Sequence, residues 1–247
     1  MTTATIAANG TRVTGRPTAL TPGGAQAVFR ATLDVLARPG TVKRLPSAKD
    51  EPLAGHVPAA LLPLLALADL STPTCVVGSV AGAGDADEAN GTGDGAGPDG
   101  AANVRRTAWD EIVRVATNAP RAALGDARLV AALRPLNPDE LADLRTGTAL
   151  APEDGALACL AVAGIAIVDG ADGIPSSSDG GRLLLQLSGP GVPGTRAILV
   201  AGLPAGFAAA RHSLVAGFPA GADLLLIAPD GAMTGLPRTT EVKEEAS

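Results

Sequence analysis

Five short apolar runs constrain this chain most: Thr74–Gly78, Leu157–Val168, Leu183–Leu187, Ala197–Val200 and Asp223–Ala228. Most are continuous rather than alternating, as expected of strands buried on both faces. Helical patterns separate several of them. Gly23–Ala37 follows Thr21 as N-cap and Pro22 at the first turn, with Phe29, Leu33 and Leu36 as an apolar stripe. Pro58–Asp69 is Leu- and Ala-rich, and Pro63 kinks or splits it. Trp109, Ile112, Val113 and Ala116 have helical spacing, Arg128–Leu133 fits a strand, Asn137-Pro138 opens a helix, and Pro204–Ala216 is an Ala-rich helix closed by Gly217. Met233–Leu236 can pair with Asp223–Ala228 across Pro229-Asp230-Gly231. Strands alternating with helices predict an α/β fold, a three-layer sandwich with a central mixed sheet.

The segments between these elements set the domain plan. Residues 1–18 read as a flexible tail and 241–247 as a charged one, leaving a single domain over 19–240. Residues 80–102 and 169–181 are soft insertions dominated by Gly, Asp, Asn and Ser, too poor in apolar bulk to offset their ordering entropy.

Composition removes several functions. Aromatics are only 2% of the chain, with three Phe, one Trp and no Tyr, so the stacking platforms of single-strand nucleic-acid binders are missing. The net charge is −6 and the pI about 4.9, which excludes a broad basic footprint for duplex DNA. The apolar stretch around Leu61–Leu70 is too short and Pro-broken for a membrane span, and no signal-peptide pattern opens the chain, so a cytoplasmic location is expected. Cys75 and Cys159 cannot make a four-thiolate site. The three lysines, Lys43, Lys49 and Lys243, lie in polar stretches. None offers the desolvated amine that Schiff-base chemistry needs, so no pyridoxal phosphate or other cofactor is expected.

Gly95–Gly100 and Gly189–Gly194 both match G-x-G-x-x-G. The first lies far beyond its strand in an Asp-rich tract, and the second precedes a strand rather than a helix, so it reads as a turn. His56 and His212 have no ligand-spaced Cys or carboxylate and predict no metal site. The cluster Arg238-Thr239-Thr240 offers a guanidinium fork and two hydroxyls, suited to a phosphate or phosphonate oxygen or a partner's carboxylate. Arg30, Thr117 and Asn118 are further polar positions that could converge with it. The competing reading pairs Arg238 with Asp223 as an internal tie.

Several segments together are similar to the PhnH family of the bacterial carbon–phosphorus lyase system. They are Gln26–Arg30 with Arg38-Pro39-Gly40, Thr117–Pro120, Leu144–Thr148 with Ala151-Pro152, Leu187–Gly191, Phe218–Leu224 and Pro237–Thr240. The resemblance spans residues 20–243, and the insertions are its main departures. It implies a fold like the large domain of pyridoxal-phosphate-dependent transferases, without that cofactor. It implies a homodimer that joins PhnG, PhnI and PhnJ. With PhnG, PhnI and PhnL, such a subunit supports formation of alpha-D-ribose 1-methylphosphonate 5-triphosphate from ATP and methylphosphonate. No catalytic residue is implied for this subunit. The apolar Pro58–Asp69 helix gives a second reason to expect a docking surface. The alternative is a free-standing α/β enzyme or binding protein with its own phosphate or phosphonate pocket.

Overall fold

The Thr21 hydroxyl accepts the Gly24 N–H at 3.0 Å, Pro22 occupies the first turn, and helix α1 runs Pro22–Ala37. This helix belongs to a computed structural model that describes residues 18–78, 108–168 and 181–245. The readings of 1–18, 80–102 and 169–181 fall outside the described residues, apart from Thr18 and Gly181.

After α1 come β1 (Lys43–Arg44), α2 (Leu62–Leu67), β2 (Thr74–Val77), α3 (Ala108–Thr117), β3 (Leu129–Ala132) and α4 (Pro138–Ala142). Then follow β4 (Leu157–Ala161), β5 (Gly164–Val168), β6 (Arg182–Ser188), β7 (Thr195–Ala201), α5 (Phe207–Val215), β8 (Asp223–Ile227), β9 (Ala232–Leu236) and β10 (Glu241–Glu244). A six-stranded sheet has the order β1-β9-β8-β4-β3-β2. Its strands β2, β3, β4 and β8 are parallel, and β9 runs antiparallel to both neighbours.

Strand pleating divides the core into two layers. Leu224 and Leu226 of β8, Val130 and Ala132 of β3, and Ala158 and Leu160 of β4 join one cluster. Leu225 and Ile227, Leu129 and Ala131, and Cys159 join the other. The second cluster is closed by α1, α2 and α3. The first is closed by Leu141 of α4, Phe207 and Leu214 of α5, and a second sheet that contributes Leu185, Leu187, Ile198 and Val200. The expected α/β class and central mixed sheet are present. The layer opposite α1–α3 contains a second, four-stranded antiparallel sheet, β10-β6-β7-β5, which the sequence reading did not separate.

Four local expectations are corrected. The run Leu157–Val168 is two strands in two sheets. The Val162 N–H bonds to the Ile227 carbonyl and the next N–H, of Ala163, to the Ala201 carbonyl, so the chain changes sheets between adjacent residues. The inward stripe of α1 is Val28, Thr32 and Val35, while Phe29 and Leu33 are 45% and 50% exposed. In the Pro58–Asp69 segment Pro63 acts as one of its two expected readings had it, splitting the helix into a 3₁₀ turn at Ala59–Leu61 and the short α2; what is corrected is the expected docking face. The Leu face of that segment is buried within this chain, at Leu61, Leu62, Leu64 and Leu65, so it does not itself call for a partner. Finally, the charged tail contains β10, which pairs Glu241–Glu244 with β6 and packs Val242 against the core.

Candidate functional site

The Arg238 cluster sits at the edge where the parallel strands begin. Asp223 opens β8, and its carboxylate accepts hydrogen bonds from the Arg238 backbone N–H (2.7 Å), Nε (3.3 Å) and Nη2 (2.8 Å). Arg238 Nη1 donates to the carbonyls of Pro152 (2.7 Å) and Pro219 (3.1 Å). One side chain thus ties the 146–155 loop, the 218–223 turn and the 237–240 turn together. Glycine lets those segments touch: a Cβ at Gly155 would lie 2.2 Å from the Gly221 carbonyl oxygen. The Gly221 N–H donates to the Thr146 carbonyl at 2.7 Å.

Arg211 of α5 enters the same cluster, and the sequence reading missed it. It is 2% exposed and donates Nη2 to the Pro237 carbonyl at 2.6 Å, the carbonyl that also accepts the Thr240 N–H. Burial pushes its pKa down to about 10, against the pull of Asp223, which leaves it charged at neutral pH. Two guanidiniums therefore share the surroundings of one carboxylate. Among the described residues the buried Thr240 hydroxyl and Arg211 Nε have no hydrogen-bond partner. Chemically this is a charge-assisted clamp, with Arg238 only 13% exposed at its side chain.

The other expected residues lie elsewhere. Thr117 ends α3, donating its hydroxyl to the Val113 carbonyl and accepting the Ala119 N–H. Asn118 follows with φ of +55° and an exposed side chain. They adjoin the start of β2, while Arg238 adjoins the start of β8. With β3 and β4 between them, the two groups stand about 14 Å apart across the sheet. Arg30 is exposed on α1 and Thr239 is exposed beside Arg238.

The opposite edge, where the parallel strands end, holds a cleft of about 760 Å³. Leu133 and Arg134 follow β3, Val162 and Ala163 follow β4, and Ala228 and Pro229 follow β8. Trp109 of α3 and the Gly55–Ala60 segment close it. Clefts at this end are where open α/β sheets bind ligands. Arg134 is held by a paired contact to Glu140, whose side chain also completes the capping box of α4 with Asn137. The link to Glu140 raises the Arg134 pKa further. Nothing in the spacing of His56, Trp109 and Arg134 announces the cleft, because its walls come from segments more than 170 residues apart.

Other candidate chemistry is sparse. Cys75 and Cys159 are buried, and burial pushes their thiols up to about 11 and about 12. Lys43 pairs with Asp34, Lys243 is exposed in β10, and Lys49 is exposed in a turn. Among the described residues no group of three or more His, Cys, Asp or Glu could hold a metal ion, and no helix is long and apolar enough to cross a membrane.

Comparison with known proteins bears on both edges. No curated protein matches the chain. The family described as bacterial phosphonate metabolism protein (PhnH) matches over residues 19–89 and 100–243. The match includes the Arg238 clamp and every wall of the cleft, and it breaks off only within the Gly- and Asp-rich insertion. Such coverage leaves one assignment: the chain belongs to the PhnH family and acts in bacterial phosphonate metabolism.

Proposed function

We propose that this chain is an accessory subunit of the carbon–phosphorus lyase core complex, assembling as a homodimer with PhnG, PhnI and PhnJ in the cytoplasm. With PhnG, PhnI and PhnL it supports formation of alpha-D-ribose 1-methylphosphonate 5-triphosphate from ATP and methylphosphonate, without catalytic residues of its own. The family match over 19–89 and 100–243 carries this reading. The proposal includes one domain, extended from the expected 19–240 through β10 to Glu244, and a relationship of its larger sheet to that of pyridoxal-phosphate-dependent transferases.

Exposed side chains near the clamp support a role in assembly. Leu150 is 98% exposed and Phe218 62% exposed, and both stand on loops that Arg238 fixes. Rigid loops bearing apolar tips suit a protein contact, because little entropy is lost when they dock. Arg30, Asn118 and Thr239, also exposed, are proposed partner or phosphate contacts, with Thr117, Arg238 and Thr240 shaping the backbone beneath. A second reading, in which the chain binds phosphate or phosphonate by itself, is favoured by the cleft of about 760 Å³.

Co-expression with tagged PhnI, PhnG and PhnJ tests the assembly. The chain is expected to co-elute with them, and the double variant Leu150→Asp, Phe218→Asp to elute apart while still folded. A native chain that folds yet never co-elutes would overturn the subunit reading.

A further inference from the structure

We infer that the cleft at the strand ends is a binding site for a small organic oxyanion with a flat apolar body, held through Arg134, His56 and Trp109 of its lining. This deepens the phosphonate reading and rests on it for the choice of a phosphonate as the anion. Among the described residues, the only ionisable side chains lining the cleft are His56 and Arg134, and no carboxylate lines it. A cleft with donors and no lining acid favours an anion over a cation or a neutral sugar.

Arg134 is built for that task. A guanidinium has two forked edges, one formed by Nη1 and Nη2 and one by Nε and Nη2. Glu140 and the Pro135 carbonyl occupy the first. The Nε edge has no hydrogen-bond partner among the described residues. Gly78 makes room for the stem beneath it, since a Cβ there would come within 2.8 Å of Arg134 Cγ. The guanidinium is thus fixed by one carboxylate and free to fork a second oxyanion. His56 lines the same cleft and brings a ring N–H as a second donor.

The remaining walls suit a flat body. Trp109, Leu133 and Ile227 give an apolar surface, while Ala60, Ala163 and Gly202 keep the space between them open. Gly202, with φ of +89°, lies so close to Ala163 that a Cβ would sit 2.9 Å from the Ala163 nitrogen. Aromatic stacking on Trp109 would add to the charge-assisted contact.

The chain carries its own reporter, because Trp109 is the one Trp and there is no Tyr. Titrating the full chain with phenylphosphonate is expected to change Trp109 emission saturably. Inorganic phosphate and benzyl alcohol, which supply the anion and the ring separately, should each bind at least about tenfold more weakly. Arg134→Lys keeps the charge facing Glu140 but loses the fork, and Ala163→Leu fills the cleft without touching Arg134. Each should weaken phenylphosphonate about tenfold or more with the melting temperature retained. The inference is overturned if emission does not respond to phenylphosphonate, if benzyl alcohol binds equally well, or if both folded variants titrate like the native chain. Failure to co-elute with PhnG, PhnI and PhnJ would remove the assembly reading and leave this titration untouched.

Discussion

Truncating Arg238 would take its side-chain donors from the Asp223 carboxylate and from the carbonyls of Pro152 and Pro219 at once, leaving Asp223 the backbone N–H of residue 238. Because the pair is largely buried, Arg238→Ala should lower unfolding free energy by about 2–4 kcal/mol, read as a shift in the urea midpoint. Arg238→Lys should recover only part of this, since an ammonium cannot fork Asp223 while reaching both carbonyls. A midpoint unchanged within error would show that the clamp carries no stability.

The buried thiols make a second residue-level prediction. With pKa values pushed from 9.0 to about 11 for Cys75 and about 12 for Cys159, both stay protonated at pH 8. Native protein should therefore react with a thiol reagent only as fast as it unfolds. Since the folded values lie above the unfolded one, their contribution to stability is complete below about pH 9. It falls as pH climbs through 11 and 12. Rapid labelling of the folded chain would contradict this. The Arg238–Asp223 pair was legible in the sequence as one of two readings. Arg211 was not, because an arginine in an Ala-rich helix gives no sign that a carbonyl from the 237–240 turn will cover it.

At the scale of elements, α1 shows how two equally spaced stripes are decided. Phe29-Leu33-Leu36 and Val28-Thr32-Val35 share one helical period, offset by a residue. The sheet chooses between them. Gly235 on β9 lets the helix backbone approach so closely that a Cβ there would lie 2.6 Å from the Val35 carbonyl oxygen. Gly235→Ala must push α1 off the sheet and should cost about 2 kcal/mol or more in chemical denaturation. Gly23, in the first turn of α1, has nothing within 4 Å. Gly23→Ala should be neutral or stabilising by about 0.5 kcal/mol. Similar losses at both positions would refute the close approach. The caps Thr21 and Asn137 were legible because capping is local chemistry. The break of Leu157–Val168 was marked only by Gly164, and the pairing of β10 with β6 depends on a neighbour more than 50 residues away.

Across the whole molecule, the parallel strands begin at a closed clamp and end at an open cleft. Three segments that carry the family resemblance, around 144–152, 218–224 and 237–240, meet at the clamp, so motifs scattered in sequence form one structural unit. Their order along the chain could be read without coordinates, whereas their convergence on Asp223 could not. The cleft was hidden for the same reason, since a cavity has no local pattern. Reconstitution of phosphonate activation is the most direct test of the account: PhnG, PhnI and PhnL, given ATP and methylphosphonate, with adenine release measured in the presence and absence of this chain. Release that requires the chain is the predicted result, and release at an undiminished rate without it would contradict the account.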